Sequence, residues 1–316
     1  MKTLKLRPGH YAREYLTLDV DPETKMRAHF FVAAICHQAH TLKSEKLNLV
    51  GWSYLEHAFT ELMKQNSKLL DPNYLVELSA SGLGNQLAML FSDDGTLENT
   101  TLDRLEERAG FMIEIGKIII EKYQGRLENM ISQSNGYLIK DGRGLYELLE
   151  QFEPFNDPFR KKSTIFIMTI SGANLVKIKD PENFISPMDY HVMRVLLRMG
   201  CVEINDDELE QKLKSHTPIA SDQEIRAACI KAMHAIAKEA GINVLYLDDM
   251  FWPLGRSCCH RSILCQSNKC DKDPCAFFET VDIQSHDKCE FQEVCKGSQN
   301  ERYRKFWQPI VETHFY

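Results

Sequence analysis

Seven of the ten cysteines in this 316-residue chain fall between Cys258 and Cys295, where Lys, Asp, Ser and Asn replace the apolar spacing found elsewhere. A stretch so poor in large apolar side chains cannot hold itself by hydrophobic burial and needs a cross-link. Cys36, Cys201 and Cys229 stand singly within helical patterns and need no such explanation. In a reducing compartment disulfides are a poor cross-link, and ligation of a metal or an iron–sulfur cluster is a better one. A disulfide-bonded lobe is the alternative.

The compartment follows from what surrounds this stretch. The opening MKTLKLRPGHY has no apolar stretch of the signal-peptide kind, and no apolar run approaches the roughly 18 residues that span a bilayer. The expectation is a cytoplasmic protein with no membrane partner. A formal charge of −7 and a pI near 5.9 suit a soluble protein and disfavour one that coats duplex DNA non-specifically, so any nucleic-acid contact is local. With 43% hydrophobic residues the chain can bury a core in one large or two smaller domains. It carries no internal repeat and no low-complexity linker.

The apolar spacing is helical. It runs over 26–66 and over 102–123, where Phe111, Met112, Ile115, Ile118 and Ile119 form one stripe. Residues 222–240 place Ile225, Cys229, Ala232 and Ile236 on one face and stop at Gly241. The segment KKSTIFIMTI (161–170) is short, apolar and β-branched, and periodicity alone leaves it as a buried strand or a buried helix.

In SPMDYHVMRVLLRMGCVEI (186–204), Pro187 keeps Ser186 extended, and the chain then turns into a helix near Asp189. Val192, Val195, Leu196 and Met199 mark its buried face. The simplest role for Asp189 is to cap that helix by accepting from the first free backbone N–H groups.

The order of three phrases adds a second role. KKSTIFIMTI, then ISPMDYHVMRVLLRMGCVEI, then AIAKEAGINVLYLDDMFWPLGR resembles the helix-hairpin-helix DNA glycosylases, and within them the archaeal 8-oxoguanine DNA glycosylase branch. The resemblance covers residues 155–256, with an echo at 34–59. It implies an all-α fold of two helical lobes over 1–256 with the active site in the cleft between them, and it makes KSTIFIMTI a helix. It implies a base-excision repair enzyme acting on a damaged purine such as 8-oxoguanine in DNA, with AP lyase activity. Lys162 would be the nucleophile that forms a Schiff base, its pKa lowered by burial and by Lys161. Asp189 would stabilise the oxocarbenium-like sugar and shuttle the proton. Trp52, Phe166, Asp248 and Trp252 would line the base pocket, and Thr169 stands where that family has a pocket lysine. The glycine-rich hairpin that cradles a DNA phosphate is absent, and only SGAN (171–174) lies nearby.

Endonuclease III-type members of that superfamily carry a [4Fe–4S] loop spaced C-x6-C-x2-C-x5-C. Cys258 and Cys265 match its first interval, and Cys289 and Cys295 its last. The resemblance thus implies a cysteine-bound lobe over 257–316 with these four as ligands. Cys259, Cys270 and Cys275, with His260 or His286, could instead complete a zinc site or replace one of the four. Two other readings of the whole chain stand beside the DNA glycosylase, in each case for a monomer. One is an N-glycosidase of a free modified nucleoside or nucleotide, as in queuosine salvage proteins, which resemble the same superfamily; the acidic charge and missing hairpin favour it. The other is a non-catalytic nucleic-acid-binding iron–sulfur protein.

Overall fold

The computed structural model describes residues 4–9 and 12–316. The fold is all-α: the described residues form helices throughout, and the one sheet is an antiparallel pair, Lys43–Ser44 with Leu49–Val50. Among those residues no helix is long and apolar enough to cross a membrane. The chain folds as two compact units. One takes Tyr11–Asn183 and Thr313–Tyr316; the other takes Met1–His10 and Phe184–Glu312.

The first unit is built around helix Pro22–Ile35. Asp21 caps it by accepting from the Thr24 N–H at 2.9 Å, and Pro22 fills the first turn, where no N–H partner is needed. Phe30, Phe31, Val32, Ala33, Ala34 and Ile35 have no exposed surface, so this helix is buried nearly all round. Helices Trp52–Lys64, Leu105–Tyr123 and Lys161–Gly172 pack on it. The stripe on Leu105–Tyr123 is buried as its spacing predicts, except Ile118, which is half-buried. Segment 161–170 is a helix, which resolves the ambiguity left by its periodicity. Four phenylalanines lock it to the central helix: Phe30 lies 4.7 Å from Phe155, 4.8 Å from Phe166 and 5.1 Å from Phe152, ring centre to ring centre. Each such buried ring contributes about 2 kcal/mol or more of transfer free energy.

In the second unit, helices Tyr190–Met199, Gln223–Ala240 and Val244–Arg256 pack together. Gln223–Ala240 ends at Gly241, whose φ of 66° supplies the left-handed cap expected there. The cysteine-bearing segment belongs to this same unit. Ala276–Thr280 packs on Val244–Arg256, and Lys296–Gln299 and Glu301–Arg304 pack on Tyr190–Met199. Two buried arginines of Tyr190–Met199 hold the start of the segment by its backbone. Arg194 donates to Cys259 O at 3.1 Å, and Arg198 donates to Cys259 O and His260 O, both at 2.8 Å.

Candidate functional site

Asp189 caps helix Tyr190–Met199 from an extended backbone, φ −121° and ψ 179°, the conformation usual for an N-cap residue. One carboxylate oxygen accepts from the His191 N–H at 2.8 Å and the Val192 N–H at 3.1 Å. The other accepts from the Trp252 indole N–H at 3.0 Å. The side chain is therefore a cap and also the partner of a residue 63 positions further on. Only 5% of Asp189 is exposed, and the helix N-terminus beside it favours its negative charge.

Trp252 is placed by helix Val244–Arg256, which also buries Asp248 one turn earlier. The Arg256 guanidinium covers the Trp252 ring at 5.1 Å. His191 meets the same ring edge-on at 6.0 Å, and its Nδ1 lies 3.2 Å from Arg194 Nη2. Burial lowers the Arg194 pKa to about 10, so it is still a cation at neutral pH. The structure thus joins Asp189 and Trp252 and adds His191 and Arg256, which sequence reasoning passed over. His191 had a signal, since it stands two residues after the capping aspartate. Arg256 follows Trp252 by four and shares its helix face.

This assembly depends on close helix packing. A Cβ on Gly255 would lie 2.5 Å from the carbonyl oxygen of His191, a backbone atom that cannot swing aside. Gly255→Ala is therefore expected to push the two helices apart and cost about 1–3 kcal/mol, read as a lower midpoint in thermal unfolding.

Lys162, Phe166 and Trp52 belong to the other unit. The Lys162 side chain has no exposed surface; its ammonium donates to Ala34 O, lies 3.2 Å from His37 Nδ1 and sits 5.2 Å over the Phe111 ring. Burial, more than the neighbouring Lys161 and Arg108, lowers its pKa to about 7. The same burial, with Lys162 beside it, drives His37 far below the usual histidine range. Phe166 is sealed in the phenylalanine cluster, so it offers no face to a flipped base. The Thr169 hydroxyl is turned back on Phe166 O at 2.8 Å. Trp52 donates its indole N–H to Glu56 at 2.9 Å and meets Tyr15 edge-on.

The seven cysteines gather in two places. Cys258 Sγ lies 3.5 Å from Cys275 Sγ and 3.3 Å from His286 Nε2, and Cys270 joins them. The four cysteines of the expected set, Cys258, Cys265, Cys289 and Cys295, line one cavity together with Cys259. Burial raises the thiol pKa of Cys265, Cys289 and Cys295, the second to about 12, and the neighbouring cysteines push further in the same direction. Cys259 precedes Cys265 by the same interval, five intervening residues, as Cys289 precedes Cys295.

A family model described as queuosine salvage protein matches residues 30–270. Among curated proteins the chain is similar to the queuosine 5′-phosphate N-glycosylase/hydrolase of Bos taurus, 25% identical over 178 residues, which are 48% of this chain and 52% of that protein. It is 23% identical to that of Schizosaccharomyces pombe over 183 residues, 52% of this chain and 51% of that protein. It is 23% identical to that of Dictyostelium discoideum over 269 residues, 76% and 78%. The chain spans about half the length of the first two of these relatives.

These matches overturn the likeness to helix-hairpin-helix DNA glycosylases. The stretch that carried it, 155–256, lies inside the region matched by the queuosine salvage model. A DNA substrate, base-excision repair, 8-oxoguanine and AP lyase activity are withdrawn with it. The physical reason is that P-M-D-Y at a helix mouth encodes a capped, oriented carboxylate. Breaking an N-glycosidic bond uses such a group whether the base belongs to a polymer or to a free nucleotide. The phrase reports the bond and not what carries it; the absent hairpin was the feature that spoke about the carrier.

Proposed function

Because the chain belongs to the queuosine salvage protein family, we propose that it is an N-glycosylase that hydrolyses the glycosidic bond of a free nucleotide of the queuosine 5′-phosphate kind. The observation that carries this reading is the Asp189 carboxylate, held by two backbone N–H groups on one oxygen and by Trp252 on the other. Cleavage develops positive charge on the sugar and negative charge on the departing base. A carboxylate that is already oriented stabilises the sugar cation without reorganising during the reaction, and it can accept the proton of the water that completes hydrolysis. Trp252 fixes which oxygen is presented, and His191 and Arg256 fix Trp252. Lys162 has no part in the bond-breaking step: hydrolysis needs no lysine nucleophile, and its ammonium is buried against Ala34 and His37.

The test is incubation of the full chain with queuosine 5′-phosphate, with the released base followed by chromatography and mass spectrometry. Release from the nucleotide, and none from a double-stranded oligonucleotide containing 8-oxoguanine, is expected. An intact nucleotide after prolonged incubation with folded protein would overturn the reading.

A further inference from the structure

We propose that the C-terminal cysteine segment holds two separate metal centres: a zinc ion on Cys258, Cys270, Cys275 and His286, and an iron–sulfur cluster on Cys259, Cys265, Cys289 and Cys295. The first centre rests on distances. Its four ligand atoms all lie within 4.8 Å of one another. A tetrahedral zinc ion bound at about 2.3 Å to sulfur and about 2.1 Å to nitrogen sets its ligands about 3.8 Å apart for two sulfurs and about 3.6 Å for sulfur and nitrogen. The 3.5 Å between Cys258 and Cys275 and the 3.3 Å between Cys258 and His286 are close to those edges. Three thiols and one imidazole make a closed, soft donor set that suits zinc and leaves no position for water. A stacked ring orients the histidine. His286 stacks on Phe278 at 5.2 Å, and Arg7 covers Phe278 and donates to its carbonyl at 2.7 Å.

The second centre rests on a different observation. Five cysteines line one cavity; Cys258 is already drawn to Cys275 and His286, and the other four, Cys259, Cys265, Cys289 and Cys295, come from two separate stretches, yet no three of them join a group as tight as the first among the described residues. A single tetrahedral ion would need that tightness. A polynuclear cluster presents its iron atoms at separate corners, so its thiolates stand further apart around a larger core. Cys258 and Cys259 are adjacent yet serve different centres, which places the two metals on either side of one peptide link. Arg194 and Arg198 of the Tyr190–Met199 helix hold the next peptide through Cys259 O.

The consequence reaches the Asp189 assembly inside the same unit. Cys258 follows helix Val244–Arg256, which carries Trp252, and the Ser257 hydroxyl accepts from the Ala276 N–H at 2.9 Å. Zinc would tie the end of that helix to Ala276–Thr280 and to His286, with binding free energy acting as folding free energy.

The experiment is anaerobic purification of the full chain with metal and acid-labile sulfide analysis, repeated on Cys270→Ala and Cys289→Ala. One zinc per chain, together with iron and sulfide in equal amounts, is expected. Cys270→Ala should lose zinc and keep iron; Cys289→Ala should lose iron and its visible absorption and keep zinc. A folded wild-type chain with only background zinc overturns the first centre, and two zinc ions with no iron overturn the second. If either alanine variant fails to fold, cobalt substitution of the wild-type chain decides the first centre: tetrahedral cobalt absorption with thiolate charge-transfer bands supports it, and an octahedral spectrum overturns it.

Discussion

Asp189→Asn should fold like the wild type and hydrolyse queuosine 5′-phosphate about 100- to 1,000-fold more slowly, the scale seen when one preorganised charge-stabilising group is removed. Asparagine ranks with aspartate as a helix cap, so its carbonyl can still accept from the His191 and Val192 N–H groups. What it cannot do is carry negative charge or take a proton from water. Its amide nitrogen would also face the Trp252 indole N–H, donor against donor, where the carboxylate now accepts at 3.0 Å. Two further variants separate the roles. Trp252→Phe keeps the ring and loses only the N–H, so its rate should fall by a smaller factor. Asp189→Ala also loses the cap and should melt earlier, by about 1 kcal/mol of stability. Base release by folded Asp189→Asn at near wild-type rates would leave Asp189 as a cap alone.

Local signals were readable wherever local physics decides. Pro187 and Asp189 gave the helix mouth, Gly241 gave a helix end, and the stripe from Phe111 to Ile119 gave a buried face. Position on a face was not enough elsewhere. Phe166 lies one turn after Lys162, which made it a candidate plate for a base, but what fills the space in front of a ring depends on partners far away in sequence. Here those are Phe30 and Phe155, and the ring is core. The Asp189–Trp252 contact joins two helices that the sequence placed one by one, and only packing through Gly255 brings them together. The cysteines show a related effect. Neighbours in space are chosen by the three-dimensional path of the chain, so an interval counted along the sequence gave no sign that Cys275 and His286 stand beside Cys258. Substrate identity was least legible, because one oriented carboxylate serves every carrier of an N-glycosidic bond.

Raising the pH from about 7 to about 10.5 should stabilise the wild-type chain relative to Lys162→Met, by up to about 1.4 kcal/mol per pH unit. Lys162 ionises near 10.5 when solvated and near 7 in the folded chain, chiefly because burial disfavours its charge. Between those values the unfolded chain binds a proton that the folded chain does not, so removing protons from solution favours folding. Below about 7 both states hold the proton and the dependence vanishes. Methionine has a similar length and no proton to lose, so the difference between the two denaturation midpoints should trace this window and little else. Other groups that titrate at high pH, such as the buried Tyr15, are common to both chains and cancel. The variant leaves His37 Nδ1 and Ala34 O without their ammonium partner, which sets a constant offset and no slope. A difference that stays flat across the window would mean that the ammonium keeps its charge in the folded protein. A neutral buried amine is also a competent nucleophile only if a substrate reaches it. Borohydride treatment of the wild type during turnover of queuosine 5′-phosphate should therefore leave no covalent adduct, as expected of a hydrolase whose lysine is held in the core.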